Sequence, residues 1–352
     1  MNPVKNIFLS IVVPFSLFGS LAIAPFSCLP THDGGVWRSS DHGDNWEQKV
    51  AITKKQNIAT ANILSIKVDP QDSKIIYLGT KGDGLYKSMD NGEIWYKISD
   101  GNFSLSKQAN IYDIAIDSQN PNFLYLGAYQ DRFGRVFRSR DAGRNWEEIY
   151  RVSREKYAVF AVEIDSFNPA VIYVGTAEGG LLKSSDYGRS WRVIKWFDRV
   201  IADIKINPRD NQEIYVRLYQ RGIYKSVDQG ASWQILENLD RFSEASELES
   251  LAMDMVDPNV LYVGCRSGLL KSPDGGLSWQ KVNIIIPPNS VPVTATVVNG
   301  SALYYAAGHV VYRSWDNGQT WTSHPIATSQ PAKVLIINQL QPNVLWVGIG
   351  KK

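Results

Sequence analysis

Short apolar runs separated by turn residues recur along this chain. In the clearest stretch, residues 63–68 alternate apolar and polar positions before an Asp69-Pro70 turn, and a second apolar run follows at 75–79. Two further runs, at 84–88 and 95–98, enclose an Asp-Gly turn. Alternation with a period of two, interrupted by turn residues, predicts two consecutive β-hairpins and so four short antiparallel strands.

The turn of the second hairpin belongs to an octapeptide, Ser-x-Asp-x-Gly-x-x-Trp, that occurs seven times. Its aspartates are Asp41, Asp90, Asp141, Asp186, Asp228, Asp274 and Asp316. Repetition of a four-strand unit every 42 to 51 residues indicates stacked units that cannot bury their apolar faces alone. The pattern predicts an all-β fold, a seven-bladed β-propeller. Six of its blades, numbered 1 to 6 in chain order, are expected at about 63–99, 111–150, 159–195, 201–237, 250–283 and 293–323, and the blade that joins the two ends is blade 7.

The residue types of the octapeptide suit a structural turn. An aspartate carboxylate can accept hydrogen bonds from backbone N–H groups two or three residues on, and the glycine supplies a positive φ. The tryptophan that follows has enough apolar area to seal one blade against its neighbour. Because seven copies of a catalytic group are not needed, we interpret these aspartates as turn residues and predict no catalytic residue.

This octapeptide resembles the Asp-box, or bacterial neuraminidase repeat, and the resemblance covers nearly everything from Gly34 onward. The repeat occurs in sialidases, sortilin-type receptors, xyloglucan hydrolases and the photosystem II stability/assembly factor family. The last family is similar in its seven blades, its extracytoplasmic delivery and its arginines on the ring. That resemblance implies a non-catalytic factor that docks an extracytoplasmic segment of a membrane protein.

The two ends of the repeat region complement each other. Residues 35–48 carry an Asp-box hairpin without a first hairpin, and residues 333–348 carry a first hairpin without an Asp-box. Joining them completes a seventh blade and leaves no open sheet edge, which would otherwise invite aggregation. We therefore expect one propeller domain over residues 34–352.

Residues 1–33 do not fit the repeat. Lys5 precedes an apolar run over 7–24 that ends in small residues, which is typical of a secretory signal peptide. An uncleaved membrane anchor and lipid attachment at Cys28 are the alternatives. Each predicts an extracytoplasmic location: periplasmic, secreted or membrane-tethered.

The topology sorts the connections onto two faces of the ring. The Asp-box turns and the first-hairpin turns form the turn face; the links between blades and the second-to-third-strand loops form the loop face. Eight of the 17 arginines fall in loop-face connections. These are Arg132, Arg135, Arg151, Arg154, Arg199, Arg221, Arg241 and Arg266. Arginine with tryptophan and tyrosine is the composition of interface hot spots.

We predict from this that the loop face of a monomeric propeller docks a protein partner, such as a membrane protein. The candidate binding residues are Tyr129, Arg132, Arg135, Trp196, Arg199, Tyr219, Arg221 and Arg266.

Other functions find less support. The net charge of +2 argues against nucleic-acid binding. The four histidines lack paired spacing and no phosphate-binding loop occurs, so we expect no metal and no cofactor. Cys265, at a strand end, is interpreted as a buried thiol.

The alternative function is carbohydrate binding or glycoside hydrolysis. A sialidase is disfavoured because the Arg-Ile-Pro segment of that family is missing. Other glycoside hydrolases need two carboxylates across a sugar cleft. The loop face offers Asp83, Asp131, Glu178 and Asp198, with Trp196 and Tyr129 to stack on sugars.

Overall fold

The computed structural model describes residues 33–220, 222–286 and 292–350. Seven four-stranded antiparallel sheets form a ring, so the predicted seven-bladed propeller is confirmed. The predicted signal peptide or anchor, including Cys28, lies outside these ranges except for Asp33. Within the ranges, no helix has the length and apolar character that crossing a membrane requires.

The first two strands of each blade lie nearest the ring axis. The first strands are β3 (Ile63–Val68), β7 (Asn110–Ile116), β11 (Val159–Ile164), β15 (Ile201–Asn207), β19 (Leu248–Met253), β23 (Val293–Asn299) and β27 (Ala332–Ile337). The second strands are β4 (Ile76–Thr80), β8 (Leu124–Gln130), β12 (Ile172–Thr176), β16 (Asp210–Leu218), β20 (Leu261–Cys265), β24 (Ala302–Ala307) and β28 (Leu345–Ile349). Each first strand contacts the next around the ring, including β27 with β3, and together they surround a central channel.

The outer two strands of each blade flank the Asp-box turn. The third strands are β5 (Leu85–Ser88), β9 (Phe133–Ser139), β13 (Gly180–Ser184), β17 (Ile223–Ser226), β21 (Gly268–Ser272), β25 (Val310–Ser314) and β1 (Val36–Ser39). The fourth strands are β6 (Tyr96–Lys97), β10 (Glu147–Arg151), β14 (Arg192–Trp196), β18 (Gln234–Ile235), β22 (Gln280–Val282), β26 (Thr322–Pro325) and β2 (Glu47–Gln48).

The ring closes through a blade made from both ends of the repeat region. Its strand order is β2-β1-β28-β27, and β1 pairs with β28 from Val36 opposite Gly348 to Ser39 opposite Leu345. The N–H of Ile349 also donates to the carbonyl of Gly35 at 2.8 Å. The predicted closure is therefore confirmed.

The Asp-box turn meets the sequence expectation in part: an N–H three residues on donates to Asp141 at 3.1 Å and to Asp316 at 3.0 Å, but not to Asp41. In the first copy, the Asp41 carboxylate accepts from the Ser39 hydroxyl at 2.7 Å and from the N–H of Asn45, four residues on, at 2.9 Å. The N–H two residues on, that of Gly43, donates to Ser39 Oγ at 2.7 Å. The Ser39 hydroxyl oxygen accepts the hydrogen bond from the nearer N–H, that of Gly43. The Asp41 carboxylate therefore accepts from the more distant N–H, that of Asn45. Gly43 has the expected positive φ, +94°.

The Asp-box tryptophans seal neighbouring blades together, as predicted. Trp95 is 0% exposed and meets Trp346 of the preceding blade edge to face, with ring centroids 6.4 Å apart. Its Nε1 donates to the carbonyl of Lys49 at 2.8 Å. A Cβ at Gly92 would lie 2.4 Å from the Trp346 ring, so glycine is required there by space as well as by φ.

The link from blade 4 to blade 5 is more ordered than a plain loop. It contains two 3-10 helices, Glu237–Arg241 and Ser243–Ser246. Leu239 and Ala245 from these helices enter the core, and the first strand of blade 5 begins at Leu248 rather than at 250. Cys265 is buried as predicted, and burial raises the pKa of its thiol to about 12.

Candidate binding site on the loop face

An open depression of about 610 Å³ lies on the loop face at the end of blade 3. Its walls come from the link between blades 2 and 3, the second-to-third-strand loop of blade 3, and the link to blade 4. The lining residues are Ser153, Arg154, Tyr157, Ala177, Glu178, Trp196, Asp198, Arg199 and Val200. We call this feature the blade 3 depression.

Trp196 faces the depression because its chain neighbour is anchored in the core. Phe197 is buried between blades, with ring centroids 4.8 Å from Tyr224 and 5.8 Å from Trp233. Alternation of side chains along the strand then turns Trp196 outward, where it stays 58% exposed. Of these two adjacent aromatic residues, Trp196 alone is therefore available for binding.

Two glycines hold the indole of Trp196 in place. Gly180 pairs with Trp196 across the sheet, and a Cβ at Gly180 would lie 3.0 Å from the indole ring. Gly179 turns the chain at a φ of +91°, with its backbone against the carbonyls of Phe197 and Arg199. The aromatic surface is thus positioned by strand pairing.

The depression carries both positive and negative side chains, and within the described ranges the guanidinium of Arg199 at its rim is unpaired. Glu178 is largely buried, with its Oε1 3.8 Å from Arg154 Nε. Arg199 and Asp198 are exposed, and Arg199 makes no ion pair or hydrogen bond within the described ranges. Arg199 also borders a smaller cavity of about 140 Å³ that continues toward Leu239. An arginine in this setting can pair bidentately with a partner carboxylate.

The structure brings some of the other predicted binding residues close to the depression. Arg132 pairs with Glu155 at 2.5 Å, and its carbonyl accepts from the N–H of Lys156 at 2.8 Å. These contacts place Arg132 against the link that carries Tyr157. Tyr219 is 55% exposed, and its N–H donates to the carbonyl of Val200 at 2.8 Å.

Arg135 is not available for docking. It is only 8% exposed, and its guanidinium bonds Asp131 at 3.1 Å and also Glu148. Burial acts to raise the pKa of Glu148, but hydrogen bonds from Arg151 and Arg135 bring it below the usual range. Arg135 therefore holds β9 to β10.

The remaining predicted residues do not join the depression. Arg266 is exposed but pairs with Glu247 at 2.8 Å on blade 5. Tyr129 is half-buried at the end of β8. Arg221 lies outside the described residues.

Of the four carboxylates proposed for sugar chemistry, two lie in the depression and two are paired elsewhere. Asp83 accepts from the Tyr86 hydroxyl at 2.7 Å and pairs with Lys97, and Asp131 pairs with Arg135. Glu178 and Asp198 share the depression with Trp196. No group of three or more His, Cys, Asp or Glu in the described part of the chain is arranged to hold a metal ion.

Tyr157 is the aromatic lining residue that the sequence prediction missed, along with the smaller Ser153, Ala177 and Val200. It is 36% exposed and lies in the link immediately before β11. Its signal was an aromatic residue in an otherwise polar link, Arg154-Glu155-Lys156-Tyr157.

The resemblance to Asp-box propellers is supported by known proteins. The family model described as sortilin, neurotensin receptor 3, matches residues 34–153. A xyloglucanase of Acetivibrio thermocellus is 35% identical over 68 residues, which are 18% of this chain and 8% of that protein. The chain is thus matched over less than a tenth of that relative's length.

Solved structures agree over most of the chain. A GH74 xyloglucanase from Xanthomonas campestris has a TM-score of 0.67 at 18% identity, covering 89% of this chain and 52% of that one. A structure described as YCF48 bound to D1 peptide has a TM-score of 0.65 at 15% identity, covering 82% and 92%. At these identities the likeness shows the fold: the chain is an Asp-box propeller with seven blades.

Proposed function

We propose that this protein is a non-catalytic extracytoplasmic scaffold that binds a segment of a partner protein, specifically a membrane protein, in the blade 3 depression. The observation that carries the proposal is the exposed Trp196, held against the sheet, beside the guanidinium of Arg199, which has no ion pair or hydrogen bond to any described residue.

The physical argument rests on what such a pair contributes at an interface. Tryptophan, tyrosine and arginine dominate interface energetics because they combine large contact area with directed hydrogen bonds. Trp196 and Tyr157 offer flat apolar surface, while Arg199 and Asp198 offer opposite charges at the rim. A depression of about 610 Å³ has room for a few side chains of an extended segment.

The comparisons support a protein segment as the ligand. The similarity to this chain extends over 92% of the peptide-bound YCF48 structure but over only 52% of the Xanthomonas campestris xyloglucanase. A single ring with an exposed aromatic site on its loop face fits a docking scaffold on this basis. The secretory signal predicted at residues 1–33 supports action outside the cytoplasm, and fractionation of cells expressing the full chain tests that part.

Affinity capture from a detergent-solubilised membrane fraction tests the docking function. We expect wild type to retain a membrane protein that the Trp196→Ala/Arg199→Ala variant loses. The matched control is Trp315→Ala/Arg189→Ala, which removes an exposed tryptophan and an exposed arginine from the turn face. Retention by all three proteins, or by none, contradicts the proposal.

A second candidate, carbohydrate binding at the same depression, rests on the carboxylates. Glu178 and Asp198 line it together with Trp196 and Tyr157, and aromatic faces stack on sugar rings. Xyloglucan oligosaccharides are the first probes because of the xyloglucanase likeness. Binding by wild type, with release of reducing ends that Glu178→Gln abolishes, would favour a hydrolase over the scaffold.

A further inference from the structure

A cavity smaller than the blade 3 depression lies at the turn-face mouth of the central channel. It holds about 280 Å³ and is lined by first strands and first-hairpin turns of blades 1, 2, 3 and 7. We call it the vestibule. Its volume lies just below the range of about 300–1,000 Å³ that is usual for drug-sized ligands, so it suits a smaller molecule.

Two opposite charges on the vestibule wall, Lys67 and Glu163, attract each other without a direct contact. Lys67 of β3 and Glu163 of β11 both line it, and neither forms an ion pair or hydrogen bond in the part of the chain that the structure describes. By contrast, two neighbouring charged residues of the channel form a direct ion pair, Lys205 with Asp203 at 3.0 Å. Charged groups drawn out of bulk water favour a compensating partner.

A buried amide adds an unused donor to the same wall. Asn338 is 0% exposed; its side-chain oxygen accepts from the N–H of Leu340 at 3.0 Å, but its Nδ2 has no hydrogen-bond partner among the residues that the structure describes. The turn itself does not require asparagine. Asp165 and Asp254 fill the same place in blades 3 and 5 and accept from the N–H two residues on, at 2.9 Å in each. Buried donors are rarely left unsatisfied, so this Nδ2 points to a ligand acceptor.

The remaining lining of the vestibule is largely aliphatic. The apolar residues are Ile66, Val68, Ile116, Ile164, Ile336, Ile337 and Leu340. Branched aliphatic side chains present a smooth apolar surface, on which a ligand's hydrocarbon part gains about 25 cal/mol per Å² buried.

We propose that the vestibule binds a free aliphatic L-α-amino acid, a site distinct from the loop face. The ammonium of Lys67 and the Nδ2 of Asn338 receive the α-carboxylate, Glu163 receives the α-ammonium, and the isoleucines contact the side chain. A simple fatty acid leaves Glu163 unmatched, and an alkylamine leaves Lys67 and Asn338 unmatched. A zwitterion satisfies all three groups at once.

Isothermal titration calorimetry of the full chain with L-isoleucine tests this assignment. We expect saturable binding to wild type, and binding about tenfold or more weaker, at least about 1.4 kcal/mol, for N-acetyl-L-isoleucine and L-isoleucinamide. Those two probes remove the ammonium and the carboxylate in turn. Equal binding of all three molecules, or no binding of L-isoleucine, overturns the proposal.

The decisive variant is Asn338→Asp. It keeps the turn acceptor that blades 3 and 5 use, so the fold is retained, but it replaces the Nδ2 donor with an oxygen that repels the ligand carboxylate. We expect L-isoleucine affinity to fall at least about tenfold in this variant and in Glu163→Gln. Asp254→Asn, the same kind of exchange in blade 5, should bind like wild type. Unchanged affinity in Asn338→Asp and Glu163→Gln contradicts the site.

Discussion

Removing the indole of Trp346 should test how strongly the closing blade is joined to blade 1. Trp346 lies on β28, is 0% exposed, and packs edge to face against Trp95. The guanidinium of Arg38 lies 5.9 Å from its ring centroid. Trp346→Ala therefore opens a cavity at the junction where the two ends of the repeat region meet.

The expected cost is large compared with the stability of a domain. Replacing a fully buried tryptophan by alanine costs about 3–5 kcal/mol, against a total stability of about 5–15 kcal/mol. Trp196 supplies the matched control because it is 58% exposed. Scaling by its buried fraction, Trp196→Ala should cost only about 1–2 kcal/mol.

Urea unfolding followed by far-ultraviolet circular dichroism measures both variants. We expect one cooperative transition for each protein, with the free energy of unfolding of Trp346→Ala well below that of Trp196→Ala. Equal losses in the two variants, or a Trp346→Ala loss below about 1 kcal/mol, would refute the reasoning that this contact holds the ring closed.

Three further predictions concern the turns and the ring. Hydrogen bonds from the hydroxyl and N–H of Ser190 lower the pKa of Asp186 to about 2 from 3.8. The contribution of Asp186 to stability should be complete above pH 3.8 and lost as the pH falls through 2. In Asp186→Asn, the urea midpoint should therefore depend less on pH between 3.8 and 2. An unchanged slope in this range would contradict the assignment. Ile94→Thr adds the hydroxyl that Thr320 donates to its Asp-box at 2.6 Å, so calorimetry should show about 0.5–1.5 kcal/mol of added stability; a loss would show that the Ile94 packing matters more. A circular permutant that joins residue 350 to residue 33 and opens the exposed link at 101–103 should keep the wild-type dichroism spectrum, whereas an unfolded permutant would count against closure.

The repeat made the fold predictable because every blade carries the same turn chemistry. The paired spacing of strands and Asp-boxes indicated seven blades, and the unmatched hairpins at the two ends indicated how the ring closes. The structure confirms both.

The binding residues were less predictable because a loop position does not determine a side chain's partners. The sequence predicts loop-face connections for both Arg135 and Arg199, but Arg135 lies within β9 and pairs with Glu148 of its own blade, while Arg199 reaches the depression. The distinction depends on strand register, which brings β9 and β10 into the same sheet. The vestibule had a signal in the sequence, namely Lys67 and Glu163 near the ends of two largely apolar first strands. That signal gains meaning once the ring places the two strands around one cavity.

Site-specific photo-crosslinking in intact cells tests the central claim most directly. A p-benzoylphenylalanine introduced in place of Trp196 presents its reactive ketone in the blade 3 depression, and the same residue in place of Trp315 presents it on the opposite face. Our account predicts a covalent adduct with a membrane protein from position 196 and none from position 315. An adduct from position 315 alone, or no adduct from either position, would contradict docking at the depression.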